Sequence, residues 1–391
     1  MFSKIIEQIL ITAKCIIIME SKSFSRRDFI QKGTLASIAT TIVGTSFAQA
    51  SIRSITNSEK SDGLNIYTSS TKKLTELLNI KYPIIQAPTA GVINSSFTAA
   101  VANNGALGAL PLSWSSPDHA IRQINAVKNK TNKSFFANFV LNFEPRAFDV
   151  AIKNGVQIIQ FSWGMPTIEM VSKMKVKKVV LGIQVTSEES AKMAIGLGAD
   201  YLVCQGTEAG GHVHASRPLK ETLKRVLKVA GDIPVVASGG IATGYKMSEY
   251  MQMGAAGVVM GSRFVATKES GAHDIYKNSL VSANAEDTVF TTCMNKGWNN
   301  ATHRILRNST FEMWESDGCS VIGKRPGEKD FIAKYGESTN VERYSINSPG
   351  DFYTGNIEAM ANYAGTSVND INDIPTVSEI IKRIWKEFKN N

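Results

Sequence analysis

From about residue 72 the chain alternates two kinds of segment. Short runs of apolar residues punctuated by glycine fall at 83–88, 105–110, 135–140, 156–161, 178–185, 199–205, 234–239 and 257–261. Between them, apolar residues recur at helical spacing over 95–103, 117–128, 147–153, 167–173, 187–197, 219–229 and 245–253. Near-continuous apolar strands alternating with amphipathic helices predict a parallel sheet covered on its outer face. The rhythm fits a closed (β/α)8 TIM barrel better than an open doubly wound sheet, because so many strand ends carry polar or glycine residues that would meet at one rim. Those expected rim positions are 86–89, Asn138, 162–164, 184–186, 205–212, 238–240 and 261–262.

The most chemically loaded rim segment is Cys204-Gln205-Gly206-Thr207-Glu208-Ala209-Gly210-Gly211-His212-Val213-His214. It combines an amide, a carboxylate, paired glycines and a titratable imidazole directly after a predicted strand. Ser238-Gly239-Gly240-Ile241 and Gly261-Ser262-Arg263 follow the last two predicted strands, the usual barrel location for a phosphate. A flat, glycine-lined rim with a phosphate position favours flavin mononucleotide (FMN) over a sugar phosphate. Glu208 reads either as an orienting group for the loop or as a capping acid. His214 reads as incidental, and His119, His273 and His303 read as surface or packing residues. Cys204, inside a strand, reads as a small buried hydrophobe.

In their order, Tyr82-Pro83-Ile84-Ile85-Gln86-Ala87-Pro88-Thr89-Ala90-Gly91, Asn104-Gly105-Ala106-Leu107-Gly108, the Gln205–His212 loop, Ala237-Ser238-Gly239-Gly240-Ile241-Ala242 and Met260-Gly261-Ser262-Arg263-Phe264 resemble the signatures of the nitronate monooxygenases, formerly 2-nitropropane dioxygenases. The resemblance extends to Gly297-Trp298, to His303-Arg304-Ile305-Leu306-Arg307-Asn308 and to Tyr363-Ala364-Gly365. Two departures bear on substrate preference: Thr89 stands where methionine is usual, and Val213-His214 stands where Arg-Gly is usual. The resemblance implies FMN held by Gln86, Ala87, Pro88, Asn138, Gln205, Gly210, Gly211, Gly239, Gly240, Val259, Met260, Gly261 and Ser262, with Gly261 and Ser262 at the phosphate. His212 matches the catalytic histidine, and no metal is implied. The implied reaction is flavin-dependent oxidation of an alkyl nitronate, or of a nitroalkane after proton removal, by molecular oxygen to a carbonyl compound and nitrite. Two alternatives stay open: an NADH-dependent flavin reductase of the enoyl-thioester or quinone type, which shares the Glu-Ala-Gly-Gly-His loop, and a non-catalytic flavin-binding protein.

Composition narrows the classes. With 43% hydrophobic and 20% charged residues in 391, the chain is an ordinary globular one. The net charge of +9 is spread without basic runs, which gives no footing for a nucleic-acid partner. Cys15, Cys204, Cys293 and Cys319 show neither a disulfide framework nor zinc spacing.

The ends read differently from the barrel. Ser25-Arg26-Arg27-Asp28-Phe29-Ile30, a modestly apolar stretch and Ala48-Gln49-Ala50 look like a twin-arginine export signal over 1–50, which implies a periplasmic enzyme with no stable membrane anchor once mature. Without a working signal the protein would stay cytoplasmic. Export would also separate it from cytoplasmic NADH and acyl carriers, which weighs against the reductase alternative. Residues 51–71 read as a polar linker. After the barrel, 264–310 reads as helical, with Trp298 and Arg304 covering the mouth, 311–350 as a lid, and 376–388 as a closing amphipathic helix. A signal of normal length would begin at Met19. N-terminal sequencing of the unprocessed precursor is expected to start at that residue, and a start upstream of it would refute the assignment.

Overall fold

The computed structural model describes residues 68–391; the export-signal, start-site and most of the linker expectations fall on residues outside that range. Eight parallel strands form the central sheet: β1 (Ile84–Gln86), β2 (Gly108–Pro111), β3 (Phe135–Val140), β4 (Ile158–Ser162), β5 (Val180–Val185), β6 (Tyr201–Gln205), β8 (Val235–Ser238) and β9 (Gly257–Met260), with the two-residue strand β7 (Gly211–His212) lying outside it. The order β1-β9-β8-β6-β5-β4-β3-β2 leaves β1 and β2 at its ends, and an isolated bridge from Ile85 to Leu107 joins them. Gln86 N–H donates to Leu107 O at 3.0 Å and Leu107 N–H to Ile84 O at 2.9 Å, so the sheet closes into the expected TIM barrel.

The two-residue period of a strand divides the core in two. Ile85, Phe136, Ile158, Tyr201, Val203, Val236 and Val259 point into the barrel. Their neighbours Ile84, Ala137, Ile159, Leu202, Ala237, Val258 and Met260 point outward against the helices. Both sets are buried, so the strands read as unbroken apolar runs. The helix Ser69–Leu78 sends Leu74 and Leu78 into the interior cluster.

The surrounding helices begin where polar side chains cap them. Asn94, Ser116, Thr167, Ser187 and Thr243 each accept a backbone N–H of the first turn, which offsets one otherwise unpaired donor. The final helix, Val377–Lys389, starts with a reciprocal Thr376–Glu379 capping box and buries Ile380, Ile381, Ile384 and Phe388, matching the amphipathic pattern. Among the described residues, no helix is long and apolar enough to cross a membrane.

The segment 264–310 departs from the helical expectation. Before the strands, helices occupy Ser262–Val265 and Asp274–Ser282, with a single 3-10 turn at Ala285–Asp287; β10 (Thr288–Thr291) and β11 (His303–Leu306) then pair antiparallel, and β11 pairs on its other side with β7. The reason is tertiary: Thr288-Val289-Phe290-Thr291 is rich in β-branched and aromatic residues, and β11, its partner, is held on its other side by β7, in a loop nearly a hundred positions away in the chain. The expected lid region is a helix, Ser309–Ser316, followed by β12 (Phe331–Tyr335) and β13 (Thr339–Glu342), to which β14 (Tyr353–Gly355) adds.

The helix Gly244–Gln252 packs on the final helix through a point of close approach. A Cβ on Gly244 would stand 2.1 Å from Ile384 O and 2.4 Å from Phe388 N, while Gly244 N–H already donates to the Glu387 carboxylate at 2.8 Å. Gly244→Ala is therefore expected to push the two helices apart and destabilise the protein by about 1–3 kcal/mol. Urea unfolding measures this, and an unchanged midpoint would contradict the packing described.

Candidate active site

The strand C-termini converge on a cavity of about 430 Å³. That is within the range of small-molecule and cofactor sites. Of the fourteen residues assigned to the site from the sequence, all but Gln86 and Met260 line it. Met260 points outward into the helix-facing core, because Val259 before it points in. Gln86 is 1% exposed, and its Oε1 accepts Ala109 N–H at 2.9 Å, which places it in the barrel seam. The cavity also takes residues from the tail that the strand-end reading did not reach: Tyr276, Ile346, Asn347, Ser348, Tyr353 and Ser367. These come from segments with no barrel periodicity; of the tail residues at the cavity, only Trp298 and those of Tyr363-Ala364-Gly365 carried a signal.

His212 is positioned by the small sheet over the mouth. It pairs with His303 across the β7–β11 ladder, and Val213 N–H donates to Thr302 O at 2.8 Å, extending it. Gln205 braces the loop from below: its Oε1 accepts His214 N–H at 2.9 Å and its Nε2 donates to His212 O at 3.4 Å. Arg304 holds the start of the loop, with Nε and Nη2 donating to Thr207 O at 3.0 and 2.8 Å. Glu208 accepts Leu219 N–H on both carboxylate oxygens, at 2.8 and 3.1 Å, and so caps the helix Leu219–Ala230.

Rings pack around His212. Its imidazole stacks on the Trp298 indole at 4.3 Å between centroids and 22° between planes, with Tyr363 at 5.3 Å and His303 at 5.5 Å. The buried Nε2 has no hydrogen-bond partner. Burial first, then the neighbouring His303, brings the His212 pKa down to about 3, so the ring is a neutral proton acceptor at neutral pH. His303 is also neutral, pushed down to about 4 by burial. Its Nε2 accepts Met294 N–H at 3.1 Å, so the proton sits on Nδ1, which donates to Ala301 O at 2.9 Å. Both nitrogens being engaged, His303 is a packing residue.

The other histidines sort by surroundings. His214 stacks on Trp163 at 4.8 Å and 16°, which gives it a structural part that its sequence position did not suggest. His273 caps the helix Asp274–Ser282 through Nδ1, and His119 is exposed in the first turn of another helix. Burial pushes the Cys204 thiol up, out of reach of thiolate chemistry. No cluster of metal-ligating side chains occurs among the described residues.

The glycine side of the cavity is built by three loops pressed together. A Cβ on Gly210 would lie 2.4 Å from Gly365 N, so only glycine permits this approach. Gly365 N–H donates to Ser262 Oγ at 2.9 Å and Thr366 N–H to Glu208 O at 3.0 Å, tying the tail to the loops after β9 and β6. Arg263 turns away: 1% exposed, it pairs with Asp373 at 3.1 Å and donates to Ala266 O at 2.6 Å. The polar lining is uncharged and includes the amides of Asn138, Gln160, Gln184 and Gln205 and the hydroxyls of Ser162, Ser238 and Ser262. Amides that can donate or accept, beside bare glycine backbone and a free serine hydroxyl hydrogen, suit a flat heterocycle with alternating donors and acceptors and a phosphate tail. The residues present thus fit FMN.

Fold and mouth together define a (β/α)8 barrel whose ligand site sits at the strand C-termini. A profile of the family described as nitronate monooxygenase matches residues 71–149 and 143–387, and the chain belongs to that family. It is 31% identical over 265 residues to a probable nitronate monooxygenase of Staphylococcus saprophyticus, covering 56% of this chain and 75% of that protein. It is 31% identical over 249 residues to the (3aS,4S,5R,7aS)-5-hydroxy-7a-methyl-1-oxo-octahydro-1H-indene-4-carboxyl-CoA dehydrogenase of Rhodococcus jostii, covering 63% and 68%. Among solved structures, FabK from Thermotoga maritima superimposes with a TM-score of 0.65 at 28% identity over 81% of this chain and 96% of its own. The family makes this chain a flavin-dependent oxidoreductase.

The two depressed imidazoles carry a pH signature. Unfolded histidines titrate near 6.5, whereas the folded ones stay neutral down to about 3 and about 4. Below 6.5 the unfolded chain binds protons that the folded chain refuses, so this contribution is complete above that value and shrinks as pH falls. The urea midpoint is expected to drop from about pH 7 to about pH 5, and to drop less in His303→Gln, which has one fewer such group. Equal drops in the two proteins would remove His303 from the account.

Proposed function

We propose that this protein oxidises alkyl nitronates, and nitroalkanes after removal of a proton, to a carbonyl compound and nitrite, with FMN as cofactor and molecular oxygen as oxidant. One observation carries the reading: a neutral imidazole, fixed by stacking on Trp298, at the wall of an uncharged, amide-lined cavity. Asn138 and Ser262, with the backbones of Gly210, Gly240 and Gly261, would hold the cofactor. When bound, FMN would supply the redox chemistry, accepting electrons from the substrate and passing them to molecular oxygen.

The chain's own part is proton handling and positioning. His212 accepts the α-proton of a neutral nitroalkane, since its lone pair is free at neutral pH and its ring plane is held by Trp298. The Arg304 and Gln205 contacts keep the strand that carries it against the mouth. Tyr363, whose hydroxyl donates to Ile346 O at 2.9 Å, holds the tail across the cavity and helps to keep water out.

The test uses the full chain reconstituted with FMN. Nitrite release under air is expected with 1-nitropropane and with its nitronate. His212→Asn is expected to lower kcat/KM for the neutral nitroalkane by about 10²–10⁴ and to affect the preformed nitronate less, since no proton need be removed from it. A protein that oxidised NADH rapidly and released no nitrite would be a reductase, and this reading would be wrong.

A further inference from the structure

The rim of the barrel is divided chemically. Glycine-rich tips follow β6, β8 and β9, which are neighbours in the sheet. Aromatic tips follow β2, β3 and β4, also neighbours: Trp114, Phe143 and Trp163. Trp298, from the segment between β10 and β11, lies among them. Trp114 and Phe143 are 5.1 Å apart by ring centroid, Phe143 and Trp298 5.0 Å, and Trp163 and Trp298 4.7 Å. The three tryptophans line the cavity, and His212 stacks on the innermost.

Two features mark this wall as more than packing. Trp163 sits at φ 58°, in the left-handed region, where a bulky side chain is strained. Such strain persists where surroundings over-determine it and clusters at ligand sites. Here His214 stacked on one side and Trp298 edge-on fix the indole at the cavity. Second, among the described residues no lysine, arginine, aspartate or glutamate lines the cavity. A carboxylate carried by a substrate would leave water with no cation to meet it.

We propose that Trp114, Trp163 and Trp298 are specificity-determining residues that select nitronates bearing an apolar, preferably aryl, substituent over nitronates bearing a carboxylate. The proposal rests on the nitronate-oxidising reading above and adds the substrate class. The aryl ring lies against the indoles while the nitro-bearing carbon faces His212. A phenyl group gains burial and ring–ring contact there, and a carboxylate loses solvation without compensation.

Two readouts separate this proposal from the reading beneath it. In turnover of the FMN-loaded protein, phenylmethane nitronate is expected to exceed propionate 3-nitronate in kcat/KM by at least about tenfold. In anaerobic calorimetric titration, nitrobenzene, which has no α-hydrogen, is expected to bind at least about tenfold more tightly than 3-nitropropionate. Trp163→Gly removes the indole and also relieves the left-handed backbone, so it is the variant least at risk of misfolding; it is expected to abolish most of both preferences. Trp114→Arg, at a position 45% exposed, puts a cation at the rim and is expected to shift the preference toward the carboxylate. Nitrite released equally well from both nitronates overturns the aromatic wall and leaves the reaction standing. No nitrite from either, with the nitrobenzene preference intact and lost in Trp163→Gly, overturns the reaction and leaves the wall. A carboxylate preference in the unmodified protein overturns the wall outright.

Discussion

The antiparallel pairing of Gly211-His212 with His303-Arg304 is the constraint on which the site depends. The barrel alone would leave the loop after β6 as a glycine-rich excursion with many conformations. The ladder turns two of its residues into a strand, and the bonds from Arg304 to Thr207 O and from Thr302 Oγ to Val213 O, the latter at 2.6 Å, fix both ends. Because β strands present alternate residues to opposite faces, fixing the register also fixes which way the imidazole points. Trp298 then packs on the ring from the same tail segment, so one stretch of chain both orients His212 and desolvates it.

Desolvation is what gives the histidine its chemical character. A ring at its ordinary pKa would be partly protonated in mildly acidic solution; this one stays unprotonated well below that range because burial and His303 disfavour the cation, at the cost of basic strength. The uncharged lining works the same way, since no carboxylate among the described lining residues is present to draw the proton back. The site spends its polar contacts on amides and hydroxyls, and its few nearby charges are turned elsewhere: Arg263 to Asp373, Glu208 to the start of the helix Leu219–Ala230.

The barrel was readable from the chain because its signal is local and repeated. Each strand is a short apolar run, each helix has a period and a cap, and strand ends meet at one rim by rule. Ten lining residues besides His212 lie at rim positions read that way, and Val259 came with the family resemblance; Met260, from the same resemblance, points outward because Val259 before it points in, and Gln86 is held in the barrel seam. The tail was not readable, because its elements are specified by distant partners. β11 looks helical by composition and becomes a strand only because β7 and β10 flank it. Tyr276, Ile346 and Ser348 reach the cavity through contacts such as the Ala272–Gly350 bridge, which no periodicity announces. His214 reads as incidental from the sequence for the same reason: its partner, Trp163, is set by the meeting of two loops.

The knot of contacts at Gly365 has a temporal consequence. Gly365 and Thr366 bond to Ser262 and Glu208, completing the glycine side of the pocket, yet they follow the last barrel strand by about a hundred residues. During synthesis the eight strands emerge first and can associate, while the cradle stays open until the segment around Gly365 has left the ribosome. Nascent chains therefore complete the pocket in one late event, and a truncation that spares every barrel strand but removes Gly365 still takes away one of its walls.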